Sequence, residues 1–196
     1  MMLTLRGVAC LRGPRLLFEG LDLALGPSEA LVVTGANGIG KSSLLRIAAG
    51  LLRPAAGRVE RTTKAAWLGE TAALDGEQTL HEALRFWARL DGGTPAALEQ
   101  AMAAMGVRLL AEVPVRYLST GQRRRAAITR TIAGAAPLWL LDEPANGLDT
   151  EGLERLGVAM AAHRATGGVV LAATHLPLPL DDAATLDLSA LGATSA

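Results

Sequence analysis

Short apolar runs alternate along the chain with longer amphipathic segments, and glycine, proline or polar residues separate the two. Runs such as ALVVT, LWLL and VVLAAT are too short for helices and predict buried strands. Partial alternation of apolar and polar residues predicts further strands. The predicted strands are residues 3–9, 21–25, 30–34, 59–69 (one or two strands), 138–141 and 169–174, the last being the final clear strand.

Helical periodicity and capping patterns predict helices between these strands. Thr79 and Ser119 are each followed three residues later by Glu or Gln, which is capping-box spacing. Thr94 precedes a proline, the arrangement of an N-cap and first helical residue. The predicted helices run from a glycine-rich turn after residue 34 to about residue 50, and over about 79–90, 94–106, 119–134 and 151–166.

The order of these elements predicts an α/β protein. Strands that alternate with helices form a mainly parallel sheet covered on both faces. The insert at about 72–135 contains helical patterns alone, so we expect it to form a helical lobe within a single domain spanning residues 1–196.

Composition narrows the classes of partner. The 196 residues are 50% apolar and carry 19 basic and 19 acidic side chains, a formal net charge of zero. A strongly basic surface is therefore not expected, which argues against a direct nucleic-acid partner. The sequence has neither 18 consecutive apolar residues nor a signal-peptide pattern, so we expect a cytoplasmic location. The one cysteine, Cys10, excludes an internal disulfide and is expected to be a small buried side chain.

The segment GANGIGKSS matches the phosphate-loop pattern G-x-x-x-x-G-K-[ST] between a predicted strand and a predicted helix. Glycines allow backbone N–H groups to surround phosphates, and the helix start adds its positive end. Lys41 is expected to reach the β- and γ-phosphates, and Ser42 to ligate Mg²⁺. The candidate nucleotide-binding residues are Gly35, Ala36, Asn37, Gly38, Ile39, Gly40, Lys41, Ser42 and Ser43. At this point kinases, GTPases and ATPases all remain open.

Two carboxylates follow the apolar run LWLL. Asp142, at the end of a buried strand, is positioned to hold Mg²⁺ through water. Glu143 should point the other way in an extended backbone and orient or deprotonate a water molecule. The alternative is a solvated acidic pair. His175, which follows the run VVLAAT, is either a histidine with a structural partner or a catalytic group.

Five elements in this order resemble the ABC ATPase family, over nearly the whole chain. They are the phosphate loop, the signature LSTGQ at 118–122, the acidic strand end LLDEP, the D-loop ANGLD with Asp149, and His175. The resemblance implies a P-loop NTPase fold with a mainly parallel core, an antiparallel β subdomain and an inserted helical lobe. It implies ATP and Mg²⁺ as cofactors, Glu143 as the catalytic base and a contact of His175 with the γ-phosphate.

The same resemblance implies a head-to-tail homodimer, because the signature of one subunit contacts the ATP of the other. The signature residues are Ser119, Thr120, Gly121 and Gln122. Thr120 stands where glycine is usual, and Gly121 should keep the close backbone approach. The arginines at 123–125 read equally well as a solvated helix face, and we assign them no chemistry.

Two more positions depart from the family pattern. No aromatic residue stands where adenine usually stacks; Arg12 lies near that position and either stacks through its guanidinium plane or is a surface arginine. The glutamine of the family's Q-loop is absent, and Glu70 or Thr71 occupies its place.

Several stretches, including RLLFEGLDLAL, LLRIAAGLLRPAAGRV and PLWLLDEP, resemble the ATP-binding subunits of haem exporters in bacterial cytochrome c maturation. That resemblance implies peripheral attachment to integral-membrane transporter subunits at the cytoplasmic face of the inner membrane, with haem handled by those partners. The alternatives are another ABC transporter, for lipid, peptide or drug, and a soluble ABC ATPase acting on nucleic acid or ribosomes. A phosphate-loop kinase is disfavoured by LSTGQ and His175.

Overall fold

The computed structural model describes residues 1–69 and 73–191. Within these ranges the chain forms eight strands and five α-helices. They are β1 (Leu3–Arg12), β2 (Arg15–Leu25), β3 (Ala30–Thr34), α1 (Lys41–Ala49), β4 (Ala56–Arg61), β5 (Ala65–Leu68), α2 (Leu80–Leu90), α3 (Pro95–Ala104), α4 (Thr120–Ala133), β6 (Leu138–Asp142), α5 (Thr150–Ala165), β7 (Val169–Ala173) and β8 (Ala184–Asp187). Short 3₁₀ turns occur at Arg108–Leu110, Val115–Tyr117 and Leu188–Leu191.

A parallel sheet forms the centre of the molecule, with strand order β5-β6-β7-β3-β8. Every residue of β6 and β7 is buried, as continuous apolar runs in a sheet covered on both faces should be. Because the carboxyl ends of parallel strands meet at one edge, the segments after β3, β6 and β7 lie side by side. The predicted parallel α/β core is confirmed.

A second, antiparallel sheet has the order β2-β1-β4. Its first two strands are longer than predicted, and they meet at a tight turn of Gly13 and Pro14. Register shifts in β1 interrupt the alternation, so that Val8, Ala9 and Cys10 are consecutively buried. These bulges explain why a period-2 pattern underestimated the strands.

Strand β8 was missed by the sequence prediction, which ended with the run that forms β7. Its residues ATLD are mostly exposed, and it pairs only with β3 at the edge of the parallel sheet. An exposed edge strand needs no apolar run, so the hydrophobic pattern could not reveal it.

The helices begin where their caps predicted. Thr79 and Ser119 form complete capping boxes at α2 and α4, and Thr94 caps α3 with Pro95 as first residue. Helices α2, α3 and α4 share an apolar cluster that includes Leu84 and is distinct from the cluster between the two sheets. The described part of 73–135 forms no strand, while its separation as a lobe remains a prediction. The longest described helix, α5, has 16 residues, and no helix in the described ranges is long and apolar enough to cross a membrane.

Candidate functional site

The loop between β3 and α1 has the backbone of an anion cradle. Gly35, Gly38 and Gly40 have φ values of 130°, 79° and 123°, a region that side-chain-bearing residues rarely adopt. A Cβ at Gly40 would also lie 3.1 Å from the ring of Phe18. No described side chain caps the N-terminus of α1, so its first amides remain directed at the loop. Such an uncapped helix start is suited to binding phosphate.

Lys41 closes this loop. Its Nζ donates hydrogen bonds to the carbonyl oxygens of Gly35, at 2.8 Å, and Ala36, at 3.3 Å. The same Nζ lies 3.9 Å from Oε1 of Glu143, and the lysine is buried. The ammonium group is therefore held at the mouth of the loop, beside the carboxylate of the residue that follows β6.

Ser42 and Asp142 join α1 to β6. Ser42 Oγ donates to Asp142 Oδ1 over 2.9 Å, and Asp142 is buried at the last position of its strand. Hydroxyl and carboxylate oxygens are ligands that Mg²⁺ accepts, with water and phosphate completing its octahedron. Ser42 and Asp142 therefore offer two oxygen ligands of the kind that Mg²⁺ accepts, and the described residues contain no cluster of three or more His, Cys, Asp or Glu.

Glu143 corrects one step of the sequence argument. The strand ends at Asp142, and Glu143 adopts a φ of 47°, so it is not in the extended conformation from which its direction was inferred. The chain turns here, and the N–H of Asn146 donates to the carbonyl of Glu143. The carboxylate nevertheless faces Lys41, because the left-handed residue and the turn redirect it.

His175 lies directly beside this carboxylate. Its Nδ1 is 2.9 Å from Glu143 Oε2, and its backbone N–H donates to the same oxygen over 3.3 Å. The ring is partly exposed to the cavity, while Glu143 is largely buried. A neutral imidazole carries one N–H, so this ring donates either to Glu143 or to another acceptor, and to both only when it is protonated.

A cavity of about 520 Å³ brings these groups together. Its lining consists of Arg12, Arg15, Leu17, Asn37, Gly38, Gly40, Lys41, Ser42, Ser43, Glu143, Asn146 and His175. The sequence argument missed Arg15, Leu17 and Asn146. Arg15 could have been inferred from the sequence, because a two-residue turn pairs it directly with Arg12 in the β1–β2 hairpin. Asn146 lies in the D-loop segment ANGLD, of which the sequence analysis singled out only Asp149, and its place in the cavity depends on the turn after Glu143.

Cys10 lies behind the phosphate loop, where its thiol interacts with the side chain of Ser43. Burial raises the pKa of the thiol, while Ser43 and Arg12 lower it by smaller amounts. The expectation of a small, buried cysteine is confirmed. The residue supports the underside of the loop.

The signature residues lie outside this cavity, but Thr120 lines a second cavity that Asp142, Glu143 and Asn146 also border. Ser119 accepts a hydrogen bond from the N–H of Gln122 at 3.2 Å, and Gln122 Oε1 accepts from the N–H of Ser119 at 2.9 Å. Ser119 and Thr120 are exposed, and no signature residue is among those lining the phosphate-loop cavity. A Cβ at Gly121 would lie 3.2 Å from the carbonyl oxygen of Gly147, so a small residue is needed there.

The D-loop residue Asp149 caps α5, accepting a hydrogen bond from the N–H of Gly152 over 2.8 Å. Arg12 is exposed and lines the cavity, so both readings of it remain open. The Q-loop substitutes Glu70 and Thr71 lie outside the described residues, and their role stays a prediction.

Of the arginines at 123–125, Arg123 is exposed, but Arg124 is not part of a solvated helix face. Its side chain is buried and donates to backbone carbonyls at the ends of β5 and β6. The helical period was the available sign, because Arg124 shares a face with the buried residues Ala127, Ile128 and Thr131.

Comparisons with known proteins identify the family of the chain. The family model described as ABC transporter matches residues 18–146. The Cytochrome c biogenesis ATP-binding export protein CcmA of Sphingopyxis alaskensis is 58% identical over 181 residues, covering 92% of this chain and 93% of the relative. The protein with the same description from Zymomonas mobilis is 48% identical over 188 residues, covering 96% and 85%. An ABC transporter ATP-binding protein from Pyrococcus furiosus shares the fold, with a TM-score of 0.83 at 19% identity over 97% of this chain and 98% of that one. The chain therefore belongs to the ABC transporter family and, within it, to the group of cytochrome c biogenesis ATP-binding export proteins.

Proposed function

We propose that this chain is the ATP-binding and ATP-hydrolysing subunit of an ABC transporter that powers haem export or delivery for cytochrome c biogenesis. One observation supports ATP hydrolysis by this chain. The carboxylate of Glu143 is held between Lys41 Nζ, at 3.9 Å, and His175 Nδ1, at 2.9 Å, at the mouth of an uncapped phosphate loop. The membership of the chain in the cytochrome c biogenesis group supports the biological part.

The phosphate loop binds the nucleotide. The amides at the start of α1 donate to phosphate oxygens, and Lys41 exchanges its bonds with Gly35 and Ala36 for bonds to the β- and γ-phosphates. The side-chain oxygens of Ser42 and Asp142 would hold Mg²⁺. A bound Mg²⁺ would neutralise charge on the phosphates.

Glu143 then acts as the base. Its carboxylate accepts a proton from a water molecule whose oxygen attacks the γ-phosphorus, and the bond from that phosphorus to the bridging oxygen of ADP breaks. His175 orients the carboxylate through Nδ1 and the backbone N–H. When the ring is protonated, or releases Glu143, it donates to a γ-phosphate oxygen as well.

The signature residues complete the site from a second copy of the chain. Ser119 and Thr120 are exposed at the start of a 14-residue helix, where a capping side chain and an anion site coincide. Their absence from the phosphate-loop cavity of the same chain supports a head-to-tail homodimer around two ATP molecules. Asp149 lies next to that interface.

Integral-membrane subunits are the second partner. The described ranges contain no membrane-spanning helix, and the relatives are described as export proteins, so the transport path belongs to other chains. The ATPase docks peripherally on the cytoplasmic face of the inner membrane. Haem is handled by the membrane subunits, and we assign no direct nucleic-acid partner.

The experiment compares the wild type with Glu143→Gln. Loss of a general base lowers kcat by about 10²- to 10⁴-fold, while ATP still binds. We therefore expect Glu143→Gln to form a stable dimer in ATP, visible by size-exclusion chromatography, while the wild type returns to monomer as ATP is consumed.

Glu154→Gln is the matched control, since it removes an exposed carboxylate on α5 that lies outside the phosphate-loop cavity. It should keep wild-type turnover and dissociation. Unchanged turnover in Glu143→Gln would refute the role of Glu143 as base. Capture of ribosomes or DNA, in place of polytopic membrane subunits, by the tagged chain would refute the transport role.

A further inference from the structure

Arg124 on α4 binds backbone carbonyls from two separate strand ends. Its Nη1 donates to the carbonyl of Gly69 over 2.7 Å. Its Nη2 donates to the carbonyls of Asp142, at 2.9 Å, and Glu143, at 2.6 Å, and its Nε to that of Pro144 at 3.4 Å. The side chain is only 8% exposed, so these bonds form in a medium where charge-assisted hydrogen bonds are strong.

The turn that Arg124 holds is strained. Glu143 has a φ of 47°, an uncommon conformation for a residue with a side chain, and such conformations persist when the surroundings enforce them. The carbonyls on both sides of this φ angle, those of Asp142 and Glu143, accept from the same Nη2. Rotating the turn would separate at least one of them from the guanidinium.

We propose that Arg124 is a positioning residue for Glu143. It fixes the left-handed turn that aims the carboxylate at the phosphate loop, and it ties that turn to Gly69, the last described residue before segment 70–72. This inference rests on the proposed role of Glu143 as base. It assigns a function to an arginine one turn into the signature helix, in a chain whose Q-loop glutamine is absent.

The geometry requires an arginine. A planar guanidinium has five N–H donors in a fixed fork and can serve several carbonyls at once. A lysine ammonium is a compact charge without that fork, and a glutamine amide has two N–H donors and no charge. Both substitutions fit the available volume, but neither can hold the two strand ends together as the arginine does.

The test measures kcat, KM and the equilibrium Kd for ATP in the wild type, Arg124→Gln and Arg124→Lys. We expect Arg124→Gln to lower kcat by about 10- to 100-fold, since displacing a reacting group by about 1 Å has effects of that size. The ATP Kd should stay within about twofold, because binding depends on the phosphate loop. Arg124→Lys should retain a kcat between those of Arg124→Gln and the wild type.

Arg164→Gln is the control, because that arginine also donates to two backbone carbonyls, those of Ser28 and Asp181, but outside the phosphate-loop cavity. It should keep the wild-type kcat. Thermal melting identifies folded variants, and Arg124→Lys serves if Arg124→Gln does not fold. A folded Arg124 variant with wild-type kcat, or one whose ATP Kd weakens as much as kcat falls, overturns the inference. Failure of the wild type to hydrolyse ATP would instead overturn the proposed function.

Discussion

The phosphate-loop region and the signature region differ in how much of a site each assembles within one chain. In the first, groups from three strand ends are already in contact: Ser42 bonds Asp142, and Glu143 lies between Lys41 and His175. In the second, the side chains of Ser119 and Gln122 each bond the other's backbone N–H, at an exposed helix start.

The two regions are therefore different halves of a nucleotide site. The phosphate-loop region assembles its groups within one chain, so we expect a single chain to bind a nucleotide. The signature region offers an exposed helix N-terminus, and we expect it to act on an anion that another molecule brings to it. Variants of the phosphate-loop region should change the affinity of a single chain for ATP. Variants of the signature region should lower the kcat for ATP hydrolysis without changing that affinity.

Beyond the Glu143 and Arg124 variants, the largest expected effect comes from the signature region. Ser119→Ala should lower the kcat for ATP hydrolysis by about tenfold, the factor that corresponds to about 1.4 kcal/mol for one lost hydrogen bond to a charged group. The Kd of monomeric chain for ATP should not change. Steady-state hydrolysis and equilibrium binding at low protein concentration measure the two quantities.

Thr94→Ala is the control for that variant, because Thr94 caps α3 as Ser119 caps α4 and is also exposed. Each variant should lose about 1 kcal/mol of unfolding free energy with its cap. Only Ser119→Ala should slow hydrolysis. An equal loss of turnover in both variants would show that Ser119 acts only as a helix cap. The proposed difference between the two regions would then be wrong.

A smaller effect is expected from Arg12→Ala at the rim of the phosphate-loop cavity. If the guanidinium stacks on adenine, its loss should weaken ATP binding by about fivefold, within the range for a cation–π contact. The exposed Arg58 on β4, paired with Glu60, provides the control variant Arg58→Ala. An unchanged ATP affinity in Arg12→Ala would show that Arg12 is a surface arginine.

The smallest effect concerns the packing of His163, on α5, against β6 of the parallel sheet. His163 stacks on Trp139 of β6 with 3.9 Å between ring centroids, and its Nε2 lies 3.0 Å from the carbonyl of Pro137. Burial lowers the pKa of His163 from 6.5, and the backbone hydrogen bonds oppose this only in part. The fold therefore favours the neutral ring.

Because the folded pKa lies below the unfolded one, His163 stabilises the fold fully above pH 6.5, and this contribution is lost as the pH falls through the folded pKa. Chemical denaturation of the wild type from neutral to mildly acidic pH should show this decline. His163→Phe keeps a ring against Trp139 and should show a shallower decline. Parallel curves for the two proteins would contradict the prediction.

Local patterns predicted most of the elements. Capping boxes located the starts of α2 and α4, and buried apolar runs located β3, β6 and β7, because these signals depend on a few neighbouring residues. The last residues of the bulged β1 and the whole of the exposed β8 escaped, since their pairing depends on partners elsewhere in the chain. Arg124 escaped because its acceptors are backbone carbonyls, which no sequence motif encodes.

The sequence by itself determined the chemistry: a phosphate loop, a carboxylate pair after a buried strand, a histidine after another, and a signature at a helix start. Each is a local arrangement of residue types whose donors, acceptors or backbone freedom are intrinsic. Only the tertiary structure decided the direction of Glu143, because its left-handed φ and its contacts with His175 and Arg124 arise where distant strand ends meet. Parallel strands bring their carboxyl ends to one edge, and that packing turns separate motifs into one site.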